Sequence, residues 1–234
     1  KGNYSHYEFL GAVENFFVKA APAMFMGWSN LNFDRRMFHF NFFKGNRYPY
    51  ITHSSPNQEH DGLHIARAAQ TINSETLKTE LTEAGNESLA LEGLARQQGF
   101  DTSAAHTAYV DAHNSLKILR IIKDKHKETW EKFLGTSTKS SVESILKTEG
   151  IYSIFENVKG RNMMYLVCTL HPTHCFHPSY ASWGYLWDLR RDPEPFLNMS
   201  VNELKANLKK ISPKALRVIK TNKAPIVLDK KFAL

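Results

Sequence analysis

The chain has 234 residues, of which 42% are hydrophobic and 23% are charged, and this balance is typical of a globular protein rather than a disordered one. Its formal net charge of +7 suits a polyanionic partner. Two cysteines exclude a disulfide-dense scaffold, and no apolar run approaches the roughly 18 residues that a membrane span requires. We therefore expect a cytoplasmic protein that does not associate with a membrane.

The first half of the chain alternates between helical and strand-like patterns. Its first residue is Lys1 and not methionine, so we expect the sequence to be a piece of a longer protein. Apolar spacing and turn residues predict, in order, a helix over 6–20, a buried strand over 23–28, a helix over 35–43, a polar loop over 53–60 and helices over 61–72 and 89–98. Gly99 is a natural glycine for the end of the last of these helices.

The stretch from Asp101 to Ile122 carries the clearest candidate chemistry. It reads as a helix capped by Ser103 or Thr102, with His106 at its entrance and Asp111 in its second turn. Five residues advance a helix by about 7.5 Å and rotate it by about 140°, so the two side chains converge only if the backbone is still turning at His106. Such a pair suits a water-activating base beside a metal-holding carboxylate. An ordinary amphipathic helix with a polar start is the alternative.

The second half of the chain has a different pattern. Gly135 to Ser141 is rich in serine and threonine, so we place a domain boundary there and expect domains at 1–134 and 135–234. Beyond the boundary the pattern predicts strands over 163–170, 183–189, 216–219 and 225–228, and a helix over 200–210. Ser200 and Glu203 form a capping box for that helix. The second domain is therefore predicted to be small and rich in β-structure.

Two further groups of residues have more than one interpretation. Five zinc-ligand types occur within ten residues, namely Cys168, His171, His174, Cys175 and His177; they indicate either a zinc-dependent interaction module or a strand end followed by a polar hairpin. The aromatic residues between Phe33 and Tyr50 are mostly expected in the core. Tyr50, beside Pro49 in a loop, is the best candidate to stack on a base of a single strand.

Several short motifs follow one another along nearly the whole chain. They are Gly27-Trp28-Ser29-Asn30 with Phe33-Asp34, Tyr48-Pro49-Tyr50, Asp61 with Leu63 and Arg67, Leu91-Glu92-Gly93-Leu94 with Gly99, Ala105-His106-Thr107-Ala108 with Asp111, His177-Pro178 followed by Trp183 to Leu189, and Lys220 to Leu228. In this order they resemble the exodeoxyribonuclease I family, whose members degrade single-stranded DNA from its 3′ end. The resemblance implies an α/β chain, with a partial ribonuclease H-like exonuclease domain over 1–134 and an SH3-like β-rich domain over 135–234.

The resemblance also implies roles for individual residues. Asp34 and Asp111 are expected to bind metal, with two Mg²⁺ ions in the complete protein, and His106 is expected to be the general base. Tyr50, Arg67 and His39 correspond to positions that contact the DNA strand. The implied function is 3′→5′ hydrolysis of single-stranded DNA in repair and recombination, and a single-stranded-DNA-binding protein is a further expected partner.

The departures from the family pattern limit this function. The family has an Asp-x-Glu pair before the motif of Asp34, whereas the only acidic residues upstream of Asp34 are Glu8 and Glu14. Arg35 and Arg36 stand where acidic residues usually follow the motif aspartate. Because two divalent ions then have too few anionic ligands, we expect the 234-residue chain to be inactive or nearly so as a nuclease. A non-catalytic protein that binds single-stranded nucleic acid is the alternative.

Overall fold

The computed structural model describes residues 4–103, 107–148, 150–171, 175–210 and 214–232. Helices and strands both contribute to these ranges, so the α/β class predicted from the sequence is confirmed. Within the described ranges, every helix is too short or too polar to cross a membrane.

The first five elements position the region of Asp34. They are α1 (His6–Ala20), β1 (Met24–Gly27), α2 (Asp34–Lys44), β2 (Gln58–Asp61) and α3 (Gly62–Ile72), and the three predicted helices and the first strand are confirmed. A capping box starts α1, since the Ser5 and Glu8 side chains each accept from the other residue's backbone N–H. The predicted polar loop over 53–60 is wrong at its end, because β2 begins at Gln58 and pairs in parallel with β1. Glu59 and His60 of β2 are buried. Because both residues are polar, the sequence pattern did not predict their burial.

A helical segment follows. A small hairpin of β3 (Glu80–Leu81) and β4 (Glu87–Ser88) precedes α4 (Leu91–Gln97), α5 (Ala108–Lys125) and α6 (Lys127–Leu134). Gly99 has a φ of +75° just after α4, as the sequence predicted. The predicted caps Ser103 and Thr102 are wrong, because α5 starts after Thr107; Asp101 instead accepts the N–H of Ser103 at 2.8 Å in a turn.

The second half is built around an antiparallel sheet. Its elements are α7 (Lys139–Leu146), β5 (Ile151–Val158), β6 (Arg161–Thr169), β7 (Phe176–His177), β8 (Tyr180–Asp188), α8 (Glu194–Leu197), α9 (Val201–Lys210), β9 (Leu216–Lys220) and β10 (Val227–Asp229). The strand order is β10-β5-β6-β8-β7, and β9 pairs with β8. The four predicted strands and the helix with the Ser200 capping box are confirmed. Sequence patterns missed β5 and α7.

Apolar packing joins the two halves. The larger core places Ile65 and Ala69 of α3 and Phe133 of α6 in one cluster with Ile226 and Leu228 from the end of the chain. A second cluster packs Val142 and Leu146 of α7 against the sheet. The domain boundary between 134 and 135 stays a prediction, and residues from both sides of it share the larger core.

A buried ionic network lies within the sheet of the second half. Asp188 is fully buried and accepts from Arg190 at 2.7 and 3.0 Å and from Arg217 at 3.1 and 3.2 Å. Arg217 also contacts Glu156 at 3.2 Å, and its guanidinium carbon lies 3.6 Å from the Tyr165 ring centroid. Although burial opposes ionisation, the hydrogen bonds from the two arginines hold the pKa of Asp188 below its ordinary value. Loss of this carboxylate would leave the buried Arg217 with only the partly exposed Glu156 as a counter-charge.

Asp188→Ala should lower the free energy of unfolding by about 3–5 kcal/mol, because it breaks a buried ion pair on one side only. Urea unfolding followed by circular dichroism measures this change. Asp229→Ala is the matched control, since Asp229 pairs with Lys132 at 3.0 Å on the surface and its loss should cost at most about 1 kcal/mol. Equal effects of the two substitutions would contradict a stabilising role for the network.

Candidate functional site

The candidate site lies at the edge where β1 and β2 end. Gly27, the last residue of β1, pairs with Asp61, the last residue of β2. Because the strands are parallel, the segments that follow them leave from the same edge, which is where open α/β sheets place their ligands. The loop to Asp34 and the helix that carries Arg67 both begin at this edge.

Asp61 fixes the geometry of this edge. Its carboxylate is fully buried; Oδ1 accepts the N–H groups of Ser29 at 2.8 Å and Leu63 at 3.0 Å, and Oδ2 accepts that of Leu31 at 3.4 Å. Asp61 therefore caps α3 and ties the loop after β1 to that helix. The next residue is Gly62, at which a Cβ would lie 3.0 Å from the carbonyl oxygen of Gly27, so the close approach of the two segments favours glycine. The sequence motif included Asp61 without giving it a role.

Asp34 is the first residue of α2 and its side chain is exposed. Partial desolvation on the protein side raises the pKa of this carboxyl, a backbone hydrogen bond opposes the rise, and the negative charge of Asp61 adds to it. Two carboxylates thus lie near each other at the strand edge. A cation bound between them would reduce the repulsion between the two carboxylates.

Basic side chains contact the segments next to Asp34. Arg35 forms an ion pair with the buried Glu59 and donates to the carbonyl oxygen of Asn222 at 3.1 Å. Lys223 donates to the carbonyl oxygen of Leu31 at 2.7 Å. Burial lowers the pKa of Lys223, and the nearby positive charges of Arg35, Lys220 and Arg36 lower it further. We refer to Arg35, Arg36, Lys220 and Lys223 as the basic cluster.

Two of the predicted DNA contacts lie together. The ring centroid of His39 is 5.1 Å from those of both Tyr50 and His53. Burial lowers the pKa of His39. The negative charge of Glu59 raises this pKa, and the positive charges of Arg35 and Lys223 lower it. The buried Nε2 of His39 has no hydrogen-bond partner among the described residues. A shallow cleft of about 370 Å³ adjoins this group and is lined by Arg36, His39, Phe40, Phe43, Pro49 and Tyr50.

Arg67, the third predicted DNA contact, lies on α3, the helix that Asp61 caps. Its Nε donates to Oδ1 of Asn162 at 3.3 Å, and burial lowers the pKa of its guanidinium while Asp61 opposes that change. His64 lies one turn before it, with Nδ1 3.1 Å from the carbonyl oxygen of Ala224. Asp61, His64 and Arg67 are spaced at three residues and therefore share one face of the helix. Sequence analysis did not single out His64.

The remaining predicted site residues belong to the segment around α5. Asp111 lies in the first turn of α5 and not in the second. Its N–H donates to the carbonyl oxygen of Thr107 at 3.0 Å, and its carbonyl accepts from Ser115 Oγ at 2.7 Å. His106 lies outside the described residues. Its role as a base, and a cleft shared by Asp34 and Asp111, stay predictions.

The described residues do not by themselves fit a bound metal ion. Within the described ranges, no three histidine, cysteine, aspartate or glutamate side chains are placed to hold one ion. This finding covers the described members of the zinc hypothesis as well. Cys168 lies within β6 opposite Trp187, and Cys175 is fully buried in the second core cluster, while His174 lies outside the described residues. The zinc hypothesis therefore has no support from this part of the chain.

Curated relatives share the sequence pattern. No protein-family model matches the chain. The chain is 25% identical over 220 residues to exodeoxyribonuclease I of Haemophilus influenzae, which covers 89% of the chain and 46% of the relative. It is 24% identical over 235 residues to exodeoxyribonuclease I of Buchnera aphidicola, which covers 96% of the chain and 47% of the relative. The chain thus spans about half the length of these curated relatives.

Solved structures share the fold. The structure of E. coli Exonuclease I in complex with a dA16 oligonucleotide matches with a TM-score of 0.79 at 18% identity, over 97% of this chain and 50% of that one. An ExoI/SSB-Ct complex matches with a TM-score of 0.75 at 16% identity, over 97% and 50% of the two chains. The expected resemblance is confirmed, and the chain is exodeoxyribonuclease I-like in sequence and fold.

Burial of His60 beside this site makes stability depend on pH. Its Nε2 lies 2.8 Å from the carbonyl oxygen of Phe133, and its Nδ1 accepts the N–H of Asp61 at 2.8 Å, so both ring nitrogens are satisfied in the neutral form with the proton on Nε2. Burial lowers the pKa of His60 to about 4. The unfolded chain therefore binds more protons than the folded chain between about pH 6.5 and about pH 4.

The free energy of unfolding should fall as the pH decreases through this window, with His60 accounting for roughly 3 kcal/mol at its lower end. Urea unfolding at several pH values measures the slope. His60→Gln should lower stability near pH 7 and flatten the slope, whereas His113→Gln, on an exposed part of α5, should leave the slope unchanged. A wild-type slope that persists in His60→Gln would exclude His60 as its source.

Proposed function

We propose that the protein to which this chain corresponds is a 3′→5′ exonuclease that hydrolyses single-stranded DNA in repair and recombination. The main support is the likeness to exodeoxyribonuclease I over 89% and 96% of the chain in two relatives. The placement of the motif residues supports it too, because Asp34 and Arg67 lie on the helices that follow β1 and β2, and the His39–Tyr50 pair lies along the same helix as Asp34. Consistent with a DNA substrate, the chain carries a net charge of +7.

We assign the two halves accordingly. The parallel pair β1–β2, with α3 following β2, belongs to a partial ribonuclease H-like exonuclease domain over 1–134. The antiparallel sheet of β5 to β10 belongs to an SH3-like domain over 135–234. Their shared core and the contacts of Arg35 and Lys223 hold the second domain against the site.

The chain's own residues have the following proposed roles. Arg67, presented on α3 by the capped helix start, contacts a phosphate of the strand. Tyr50 and His39 contact the strand beside the cleft at α2, where an exposed ring can stack on a base. His106 accepts a proton from the attacking water.

Two Mg²⁺ ions, when bound in the complete protein, would activate water and stabilise charge on the phosphate. Asp34 and Asp111 are their proposed ligands. The described residues do not complete a metal site, so we assign no step of the reaction to an ion held by this chain. The proposed partners are single-stranded DNA and a single-stranded-DNA-binding protein, in keeping with the complexes formed by solved Exonuclease I structures.

A non-catalytic protein that binds single-stranded nucleic acid is the second candidate. Two observations favour it: the described residues lack a cluster of three metal-ligand side chains, and Arg35 and Arg36 follow Asp34 directly. The coding sequence upstream of Lys1 separates the candidates. An Asp-x-Glu motif on an apolar strand there supports the exonuclease, and its absence supports the binding protein.

The 234-residue chain should bind a labelled oligothymidylate without degrading it when Mg²⁺ is added. Fluorescence anisotropy measures binding, and denaturing gels measure release of nucleotides. Arg67→Ala should weaken binding about tenfold, because a charge-assisted bond to phosphate is lost. Arg96→Ala is the matched control, since Arg96 is exposed and paired with Glu80 and Glu92. Metal-dependent degradation by this chain would contradict its expected inactivity.

In a full-length version, His106→Ala and Asp111→Ala should each reduce hydrolysis by about a hundredfold or more while binding survives. The reason is that His106 is proposed to accept the water's proton and Asp111 to hold an ion that activates the water, and neither is proposed to contribute to the affinity for the strand. Single-turnover cleavage of a labelled oligonucleotide measures the rate, and anisotropy in EDTA measures the affinity. Unchanged turnover in both variants would remove these site assignments.

A further inference from the structure

The hairpin formed by β5 and β6 ends beside Arg67. Its strands pair in register as far as Val158 and Arg161. Lys159 and Gly160, the two residues between the strands, both have a positive φ, of 52° and 84°. Two such residues form the type I′ turn whose twist matches that of the flanking strands. The end of the hairpin is therefore a structure of defined register and geometry.

The side chain of Asn162, near the start of β6, is held by this turn. Asn162 pairs with Asn157 across the hairpin, and the side-chain amide of Asn157 donates to Oδ1 of Asn162 at 3.1 Å. Oδ1 of Asn157 in turn accepts the N–H of Gly160 at 3.1 Å. The turn thus fixes the Asn157 side chain, and the Asn157 side chain fixes that of Asn162.

Oδ1 of Asn162 also accepts a hydrogen bond from Nε of Arg67, at 3.3 Å. Within the described ranges, the two terminal nitrogens of this guanidinium have no hydrogen-bond partner in the protein, and neither belongs to the buried atoms that lack one. Both terminal nitrogens are therefore open to solvent. A guanidinium can bind a phosphate through two parallel N–H groups, and in Arg67 the two terminal nitrogens supply such a pair.

The carboxylate of Asp61 attracts Arg67 but does not orient it. Burial lowers the pKa of the Arg67 guanidinium, and the negative charge of Asp61 opposes that change. The oxygens of Asp61, however, accept three backbone N–H groups. A long arginine side chain has many staggered conformations, and attraction to a charge selects among them less sharply than a hydrogen bond does. The directional contact of Arg67 is the bond to Asn162.

We infer that Asn162 is a positioning residue for Arg67: it holds Nε, so that the two terminal nitrogens of the guanidinium meet a phosphate of the strand as a pair. The inference rests on the proposed function, because that function gives Arg67 its phosphate. Asn162 itself has no contact with the strand. A guanidinium held in this way has less side-chain freedom to lose when the phosphate binds, and the affinity is higher for that reason.

The alternative is a purely structural role, in which the bond of Asn162 only attaches the hairpin to α3. The same hairpin has a second attachment of this kind, because Nε of Arg161 donates to Oδ1 of Asn86 at 3.2 Å, and Asn86 precedes β4. Asn86→Ala removes that attachment and leaves the bond to Arg67 in place. It is therefore the matched control for Asn162→Ala.

The test is a double-mutant cycle on the 234-residue chain, in which fluorescence anisotropy in EDTA measures binding of a labelled oligothymidylate. Asn162→Ala should weaken binding about fivefold, because the Arg67 side chain must then be ordered when the strand binds. In an Arg67→Ala background, which should itself bind about tenfold more weakly, Asn162→Ala should have no further effect. Asn86→Ala should leave the affinity unchanged in both backgrounds.

A second measurement detects the bond between Arg67 and Asn162 without nucleic acid. Nuclear magnetic resonance observes the Nε–H signals of arginines, and Arg67→Lys identifies the signal of Arg67 by its loss. This proton should exchange with water more slowly than that of the exposed Arg36, because a hydrogen bond protects it. Asn162→Ala should abolish the difference, and Asn86→Ala should preserve it. Thermal melts establish that the variants fold.

Distinct outcomes overturn the inference and the proposed function. If Asn162→Ala weakens binding equally with and without Arg67, or no more than Asn86→Ala does, Asn162 does not position Arg67 and the proposed function stands. Exchange of the Arg67 proton as fast as that of Arg36 in the unaltered chain has the same meaning. If Arg67→Ala binds as tightly as the unaltered chain, the phosphate contact of Arg67 is wrong and the inference fails with it. Failure of the unaltered chain to bind the oligonucleotide overturns both.

Discussion

The burial of one carboxylate determines the arrangement of the candidate site. Asp61 is withdrawn completely from water, and a buried carboxylate is tolerated only when its oxygens accept hydrogen bonds. The N–H groups that it accepts come from the loop after β1 and from the first turn of α3, so the same bonds that stabilise the charge also fix these segments. Asp34 follows that loop directly and Arg67 lies on that helix. Their relative position thus depends on Asp61, although Asp61 has no proposed contact with a substrate.

Polar contacts also fix the second half of the chain to this edge. Lys223 reaches the carbonyl of Leu31, and Arg35 reaches that of Asn222. The N–H of Leu31 donates to the Asp61 carboxylate. Leu31 therefore links the turn after β9, which carries Lys223, to the buried Asp61. The apolar core shared by α3 and the end of the chain lies on the other side of the same helix. Movement of the antiparallel sheet away from the site would therefore break the apolar contacts and these hydrogen bonds together.

Much of this fold follows from periodicity, and most of the site does not. Helices such as α1, with a capping box and a clear apolar face, and strands such as β8, with alternating aromatic residues, have local signals that the structure confirms. The strand β2 has no such signal, because Glu59 and His60 are buried through partners distant in the chain, Arg35 and Phe133. The resemblance led to His39 and Tyr50, which lie together, but the role of Asp61 became clear only from its bonds. A carboxylate at a strand–helix junction is a signal that could have identified it as a helix cap.

The four residues of the basic cluster form two pairs, which differ in burial and in the partners of their side chains. Arg35 and Lys223 are half-buried and use their charge on Glu59 and on main-chain carbonyls, so they hold the two halves together. Arg36 and Lys220 are exposed, and they are the members best placed to meet a phosphate from solvent. Because phosphate contacts give affinity without regard to sequence, two exposed cations of this kind suit a nucleic-acid strand that passes along the surface. Under the proposed function, the site releases each nucleotide and accepts the next, so contacts that tolerate any base suit it better than base-specific ones.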